Sequence, residues 1–377
     1  MKRAFDLIVI GGGPAGASAA ITAAREGWSV LLIERGRIPR HKVCGEFVSA
    51  ESLELLRWLL GSAGDALTQN AIQLTQTRLF LDGRVLCVPV NPPSASIARY
   101  DLDFALWNAA GEAGATTLSE VTVQAVSREQ AFRVVTTAGQ FTCRAVINAS
   151  GRWSNLTRPS NRGTGARWLG IKAHYRGEME PSVELYFFQG GYCGVQPVSS
   201  VAGDPMVNIC ALVRPGVADS VGALLLCHPL LEDRSRGWQA AFPALRTFPV
   251  VFRRPTPVSG SILNTGDAAN FVDPFVGDGI AIALGSGHLA ARSLFPYLRS
   301  ECSLGDAIRG YATGYQSSLG SVYRTSSTLR RLLAVPRLLR TPFLIACERN
   351  PRLAEYLIKS TRHRAQFEHA VAASTMM

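Results

Sequence analysis

No stretch of the chain reaches the roughly 20 consecutive apolar residues that a spanning helix needs, which leaves no candidate for a transmembrane segment. No C-x-x-C pair occurs among the eight cysteines, Cys44, Cys87, Cys143, Cys193, Cys210, Cys227, Cys302 and Cys347. Six scattered histidines add no ligand spacing, so zinc is unlikely, and the thiols read as reduced and mostly buried. Charged residues make up only 18% and hydrophobic ones 47%, a balance that excludes a disordered chain and suits two packed domains, each with its own core. Internal repeats and low-complexity tracts are missing as well. The chain starts Met1-Lys2-Arg3 and runs straight into Asp6-Leu7-Ile8-Val9-Ile10. That run breaks into glycines within a few residues and lacks a cleavage site, so it reads as a buried strand of a cytoplasmic protein.

Charge is present in one sign and in one place. The formal net charge is +11, and between residues 321 and 364 ten basic residues face only Glu348 and Glu355. The surplus therefore belongs to a C-terminal segment and not to the whole fold, and no nucleic-acid motif accompanies it. Within that segment lie the apolar clusters Leu332-Leu333, Leu338-Leu339 and Phe343-Leu344-Ile345, and Pro336 and Pro342 are expected to break it into short helices. Two readings fit: a peripheral membrane contact that admits a greasy substrate, or an ordinary lid whose arginines face water. The lid is the favoured one.

The N-terminal residues carry the sharpest signal. A short apolar run at 5–10 is followed by Gly11-Gly12-Gly13-Pro14-Ala15-Gly16, an alanine-rich helix to Glu26, and a second apolar strand at 28–33 closed by Glu34. Gly11, Gly13 and Gly16 make a G-x-G-x-x-G turn: Gly11 for the tight bend, Gly13 for backbone approach to a pyrophosphate, Gly16 for close helix–sheet packing. The helix start that follows offers free N–H groups and positive dipole to phosphates. Glu34 stands where a carboxylate accepts the ribose hydroxyls of an adenosine.

Far along the chain, Thr265-Gly266-Asp267-Ala268-Ala269 and Asp273-Pro274-Phe275-Val276-Gly277-Asp278-Gly279-Ile280 supply a second glycine cluster. Asp267 is suited to a polyol hydroxyl such as that of a ribityl chain. Gly277 and Gly279 open a helix whose N-terminus would stabilise negative charge at the N1–C2 locus of a reduced flavin. Together these point to FAD as the dinucleotide. Elsewhere, helices are expected at 51–60, 100–113 and near 219–227, a hairpin at 72–90 turns on Asp82-Gly83, and strands are expected at 183–188, 192–198 and 206–213.

The three glycine and aspartate motifs resemble those of the two-domain flavoproteins related to para-hydroxybenzoate hydroxylase. His41-Lys42-Val43-Cys44-Gly45-Glu46 resembles more specifically the geranylgeranyl reductase branch, in which a similar Cys-Gly segment lies near the isoalloxazine ring. The arginine-led helix start Arg99-Tyr100-Asp101-Leu102-Asp103 is similar too; the resemblance implies that Arg99 contacts FAD, and the alternative is an arginine paired with Asp101 or Asp103. The implied fold is α/β with an α+β second domain: a Rossmann-like FAD-binding domain with a ββα-type three-layer core (residues 1–70, 95–165 and 260–320), an antiparallel-sheet substrate domain (71–94 and 166–259) and a basic helical C-terminus (321–377). The expected cofactor contacts are Gly11, Gly13, Pro14, Ala15, Gly16, Glu34, Arg35, Cys44, Gly45, Arg99, Gly151, Asp267, Pro274, Gly277, Asp278, Gly279 and Ile280. Tyr192 and Cys193 are expected to line the substrate sheet, and Cys44 and Glu46 are the candidates for proton transfer.

The pattern departs from that family at Asn148-Ala149-Ser150-Gly151-Arg152-Trp153-Ser154, where Ser150 replaces an aspartate that serves both FAD and NADPH; Gly151, Ser154 and Arg158 still fit. Direct use of NADPH is thereby put in question, and a partner reductase or reduced carrier is the other source of electrons. The W-x-W-x-I-P motif of flavin halogenases is absent. Two chemistries stay open for a bulky apolar substrate, isoprenoid- or polyketide-like: hydride transfer from flavin N5 to a carbon–carbon double bond, or hydroxylation through a flavin hydroperoxide. A non-catalytic flavin-binding or electron-carrier module is the reading from another class.

Overall fold

A computed structural model describes residues 4–153, 167–199 and 205–350. Ser154 and Arg158, and the basic residues from Arg352 onward, lie outside them. In chain order the opening unit is β1 (Ala4–Ile10), α1 (Pro14–Arg25) and β2 (Val30–Ile33), followed by β3 (Phe47–Val48), α2 (Ala50–Leu60), α3 (Ser62–Gln69), β4 (Ile72–Leu81) and β5 (Arg84–Ser96). Next come α4 (Arg99–Glu112), β6 (Thr116–Leu118), β7 (Val123–Arg128), β8 (Phe132–Thr136) and β9 (Gly139–Asn148). The middle of the chain supplies β10 (Trp168–Arg176), β11 (Ser182–Phe188), β12 (Gly191–Val198), β13 (Met206–Val213), α5 (Val221–Leu225), α6 (Pro229–Arg234), β14 (Gln239–Ala240) and β15 (Leu245–Val250). The last elements are β16 (Val258–Ser259), β17 (Ile262–Asn264), α7 (Gly279–Leu298), α8 (Leu304–Ala334) and α9 (Arg337–Arg349).

Two sheets organise the chain. In the first, β17, β9, β1, β2 and β6 run parallel, β16 closes one edge, and β7 and β8 extend β9 as an antiparallel ribbon. The chain leaves β1 toward β2 on one side and comes back to β9 on the other, so a crevice opens beyond the carboxyl ends of these strands, where open α/β sheets take their ligands. Every residue of α1 from Pro14 to Ala24 is buried, which is why it is built almost wholly of small residues. Its partner is α7: the Ser18 hydroxyl donates to the Leu284 carbonyl at 2.8 Å, and a Cβ on Gly287 would come within 2.0 Å of the Ala15 carbonyl.

The second sheet runs β14-β10-β13-β12-β11-β4-β5-β3, with β15 on β10, and is antiparallel except where β4 and β11 pair in parallel. That junction joins the early hairpin to the later strands. Between them the chain completes most of the first sheet, and a parallel pair needs such a long crossover. The helix expected near 219–227 is α5, and a second short helix, α6, follows with Pro229 at its start.

The C-terminal helices depart most from expectation. α8 runs unbroken for 31 residues. Its first half belongs to the core of the first sheet through Tyr311, Tyr315 and Leu319, and the Tyr311 hydroxyl donates to the Asn264 carbonyl at 2.7 Å. Pro336 ends it, holding Val335 in extended backbone. Pro342, by contrast, lies inside α9, where the carbonyl it deprives of a partner belongs to the exposed turn at Leu338. Among the described residues no helix is long and apolar enough to cross a membrane.

Candidate active site: an FAD cleft joined to an apolar cavity

The ends of β1, β2 and β9 and the starts of α1 and α7 surround one cleft of about 610 Å³, within the ~300–1,000 Å³ usual for cofactor and ligand sites. Gly13 and Gly279, the two helix starts, both line it. A side chain added at Gly279 would meet nothing within 4 Å, and one at Gly13 would meet only Arg99 Nη2 and Lys42 Nζ, each at 3.9 Å, so the bare backbone at both positions faces open space. Gly16 stands behind the wall instead, where a Cβ would strike the Gly11 carbonyl at 1.8 Å: its absence lets α1 seat on the β1 turn. Pro14, Ala15, Arg35, Gly45, Gly151, Pro274, Gly277 and Ile280 also line the cleft; Asp278 is fully buried and does not. The open backbone at both ends of a cleft of this size fits an extended dinucleotide.

At the β2 end of the cleft, Glu34 accepts the Gly12 N–H through Oε2 at 2.8 Å and the Gly36 N–H through Oε1 at 2.9 Å, and it pairs with Arg40 at 2.9 Å. Burial pushes its carboxyl up, but Lys42, the two N–H donors and Arg40 outweigh that and hold it below the usual carboxylate range. Beside Gly13, Asp103 binds two cations, Lys42 Nζ at 2.8 Å and Arg99 through Nε at 2.8 Å and Nη2 at 2.9 Å. The pairing of Arg99 with Asp103 matches the second of its two readings, and its guanidinium also lines the cleft next to Gly13. Lys42, which reads as a surface residue in the sequence, is the partner cation. Further along, Asp267 lies 3.6 Å from Arg152 Nε, and Arg152 covers the Phe271 ring at 4.4 Å. Burial raises the Asp267 carboxyl against the pull of Arg152 and Arg99. Ser150 lines the cleft with its hydroxyl donated to Asn148 Oδ1 at 2.5 Å.

The Cys44-Gly45-Glu46 loop is clamped from the second sheet. Cys44 lines the cleft, and its sulfur accepts the Glu46 N–H at 3.3 Å. Glu46 is wholly buried, with a positive φ of 63°. Its Oε1 accepts the Arg99 N–H at 2.8 Å and pairs with Lys172, and its Oε2 sits 2.8 Å from His174 Nε2. Lys172 and His174 stand two residues apart on β10, hence on one face, and opposite them on β13 Asn208 donates to the Cys44 carbonyl at 3.2 Å and to that of Gly45 at 2.8 Å. Burial alone would raise the Glu46 carboxyl; Lys172 and His174 overcome it and bring it to about 2. A carboxyl ionised throughout the physiological range cannot donate a proton there, so the expected general-acid role of Glu46 gives way to that of an anion fixing the loop.

Where the cleft reaches Gly277 it adjoins a second cavity of about 190 Å³. The two share Gly45, Phe47, Tyr192, Cys210, Pro274 and Gly277. The second is apolar: Leu79, Leu81, Leu86 and Val88 of the hairpin, Leu185 and Phe187 of β11, Leu332 and Leu333 of α8, and Phe343 and Leu344 of α9. Tyr192 forms part of the shared wall, its hydroxyl donating to Asp273 Oδ1 at 3.1 Å; burial pushes Asp273 up to about 6 against Arg330. Cys193 corrects the sequence expectation. Strand alternation turns it away from both cavities into the core around Ile171, Val195 and Leu224, whereas Cys210 on the neighbouring strand faces the shared wall. Burial drives the Cys210 thiol up to about 12, so it is neutral. Lys172, His174, Asn208 and Cys210 escaped sequence reading; the only local hint was two polar residues on one face of an otherwise apolar strand at 169–174.

Comparisons agree with this geometry. A family model described as FAD dependent oxidoreductase matches residues 6–152. A menaquinone reductase of Mycobacterium tuberculosis is 27% identical, with 89% of this chain and 86% of the relative covered. A digeranylgeranylglycerophospholipid reductase of Methanosarcina mazei is 28% identical, with 78% and 76% covered. Among solved structures, a flavin-dependent brominase superposes with a TM-score of 0.78 at 19% identity over 99% of both chains. A geranylgeranyl bacteriochlorophyll reductase-like protein from Thermoplasma acidophilum gives 0.72 at 20% identity over 89% of both. At those identities the structures speak to the fold alone. Taken with the cleft and its two glycine cradles, these matches support an FAD-dependent oxidoreductase, similar over most of its length to reductases of quinone and isoprenoid-lipid name.

Proposed function

We propose that the protein reduces a carbon–carbon double bond in a long apolar substrate, an isoprenoid chain free or carried on a lipid or quinone. One observation carries the reading: the apolar cavity lies against the cofactor cleft at the Gly277 end, and the two share a wall that includes Gly45, Phe47 and Tyr192. Reduced FAD supplies the hydride when bound. The chain's own residues do the rest. Gly13, Lys42 and Arg99 hold the pyrophosphate, Glu34 the adenosine ribose and Asp267 the ribityl chain. Glu46, Lys172, His174 and Asn208 fix Cys44 and Gly45 at the junction. The leucine and phenylalanine wall excludes water and aligns the chain. Cys44 and Cys210 are the thiols at the junction that can deliver the balancing proton.

The relatives' names favour the same class, since they act on quinone or isoprenoid-lipid substrates. The electron donor is proposed to be a reduced carrier or partner reductase, because Ser150 stands where the NADPH-linked aspartate would be and its hydroxyl is committed to Asn148. The test is anaerobic. FAD-loaded protein is reduced with dithionite, freed of excess reductant and mixed with an isoprenoid-tailed quinone and, separately, a geranylgeranyl lipid. The expected result is reoxidation of the flavin with one double bond saturated per flavin. Flavin that stays reduced without oxygen, and a product that gains an oxygen atom once oxygen is admitted, would overturn the proposal in favour of hydroxylation.

A further inference from the structure

The elbow between α8 and α9 leaves leucines in water. Leu338 is 87% and Leu339 72% exposed, the two largest values among the exposed large hydrophobic residues described. They are held there. Arg340, one residue on, clamps Asp82 of the β4–β5 turn through Nε and Nη2, each at 2.6 Å, and Arg337 Nη2 donates to the Asp82 carbonyl at 3.2 Å. Val85, two residues past the turn on β5, is 43% exposed as well. Arg331 and Arg337 are exposed around these apolar tips, and Arg324 lies seven residues before Arg331, two helical turns along the same face of α8.

Charge decides what this surface fits. A second exposed leucine pair, Leu226 and Leu230, is set beside Glu232 and Asp233 as well as Arg234 and Arg236, a mixed neighbourhood. The elbow pairs protruding leucines with arginines, the combination that inserts into the headgroup region of an anionic bilayer. The position matters equally. Leu81, Leu86, Leu333 and Arg340, which adjoin the elbow and the turn, line the same apolar cavity that Gly45 and Gly277 line at its cofactor side. No described helix can cross a membrane, so the contact is peripheral.

We propose that the α8–α9 elbow and the β4–β5 turn form a docking surface for an anionic lipid bilayer, which sets the apolar cavity against the membrane so that a lipid-borne chain enters without crossing water. The delivery role rests on the function proposed above; the docking does not.

The test is flotation of the full-length, FAD-loaded protein with vesicles of phosphatidylcholine alone or doped with phosphatidylglycerol. Binding is expected only to the anionic vesicles and should fall with added salt. Leu338→Ser with Leu339→Ser should weaken it about tenfold or more, and Arg331→Gln and Arg337→Gln about fivefold per charge removed. Leu226→Ser with Leu230→Ser should leave it unchanged. Flavin content and turnover of a short, water-soluble isoprenoid should stay at wild-type level in every variant. Wild-type protein that fails to float with anionic vesicles overturns the inference, as does binding indifferent to the leucine and arginine substitutions. Self-association that the leucine variants abolish, without vesicle binding, overturns it in favour of a protein interface. Absent turnover of the short isoprenoid in an otherwise vesicle-binding wild type would strike the proposed reaction and leave the docking standing.

Discussion

The cofactor cleft and the apolar cavity meet at one wall but are built in opposite ways. The cleft is edged by charges that are paired before anything binds: Glu34 with Arg40, Asp103 with Lys42 and Arg99, Glu46 with Lys172 and His174. The cavity is lined mostly by leucine, valine and phenylalanine, and α8 and α9 close one side of it. Paired charges set a geometry in advance and cost most when one partner is lost. An apolar wall is tolerant of shape and sets only volume and dryness. A fixed cofactor beside an adaptable chain-binding space is what the difference provides.

The comparison can be broken at its charged side first. Glu46→Gln leaves Lys172 buried without its carboxylate, and should lower stability by about 3–5 kcal/mol and release FAD. Urea denaturation with flavin absorbance reads both; a loss within about 1 kcal/mol, the scale of an exposed pair, would mean the clamp is not needed. Acid should do the same work. The folded-state pKa of Glu46, about 2, lies below its ordinary 4.5, so the stabilisation is complete above pH 4.5 and fades as pH falls toward 2. That window should cost roughly 3 kcal/mol of unfolding free energy in wild type, and the loss should shrink in Glu46→Gln.

On the apolar side the effects should be smaller and local. Leu344→Ala removes a buried contact between α9 and the hairpin. At a site that already borders a cavity the loss should be near the low end for such changes, about 2 kcal/mol. Flavin content should hold while KM for a long-chain substrate rises; equal loss of FAD would erase the distinction between the two regions. Smallest is Tyr192→Phe at the shared wall, which removes one hydrogen bond to Asp273 worth about 1 kcal/mol. It should also push the Asp273 carboxyl further above about 6, because that bond favours its ionised form. Titration of stability between pH 3 and 7 checks the sign: ionised Asp273 is the disfavoured state, so its penalty is absent below its ordinary 3.8, grows as pH rises from there to about 6 and is constant above.

The turn at Gly11–Gly16, the closing Glu34 and the cluster at Asp267–Ile280 were legible because their chemistry is local: a backbone turn, a helix start and a strand end are each written within a few residues. The clamp on Glu46 was not, since Lys172, His174 and Asn208 come from strands more than 120 residues away and meet it only when the second sheet is assembled. Cys193 misled for a related reason. Both faces of β12 are buried, one on the cavity and one under α5 and α6, so alternation alone gave no sign of which residue faced the substrate. Pro342 misled because a proline near a helix start costs little where the carbonyl it leaves free can reach water.

By itself the sequence determined where the glycine turns and helix starts of a dinucleotide-type cleft lie, because glycine spacing and helix starts act over a single turn. Only the folded chain decided what the cofactor faces. The apolar cavity, the ionised Glu46 and the basic elbow beside them arise from side chains brought together across hundreds of residues, and burial, which no local pattern encodes, set their charge and their reach.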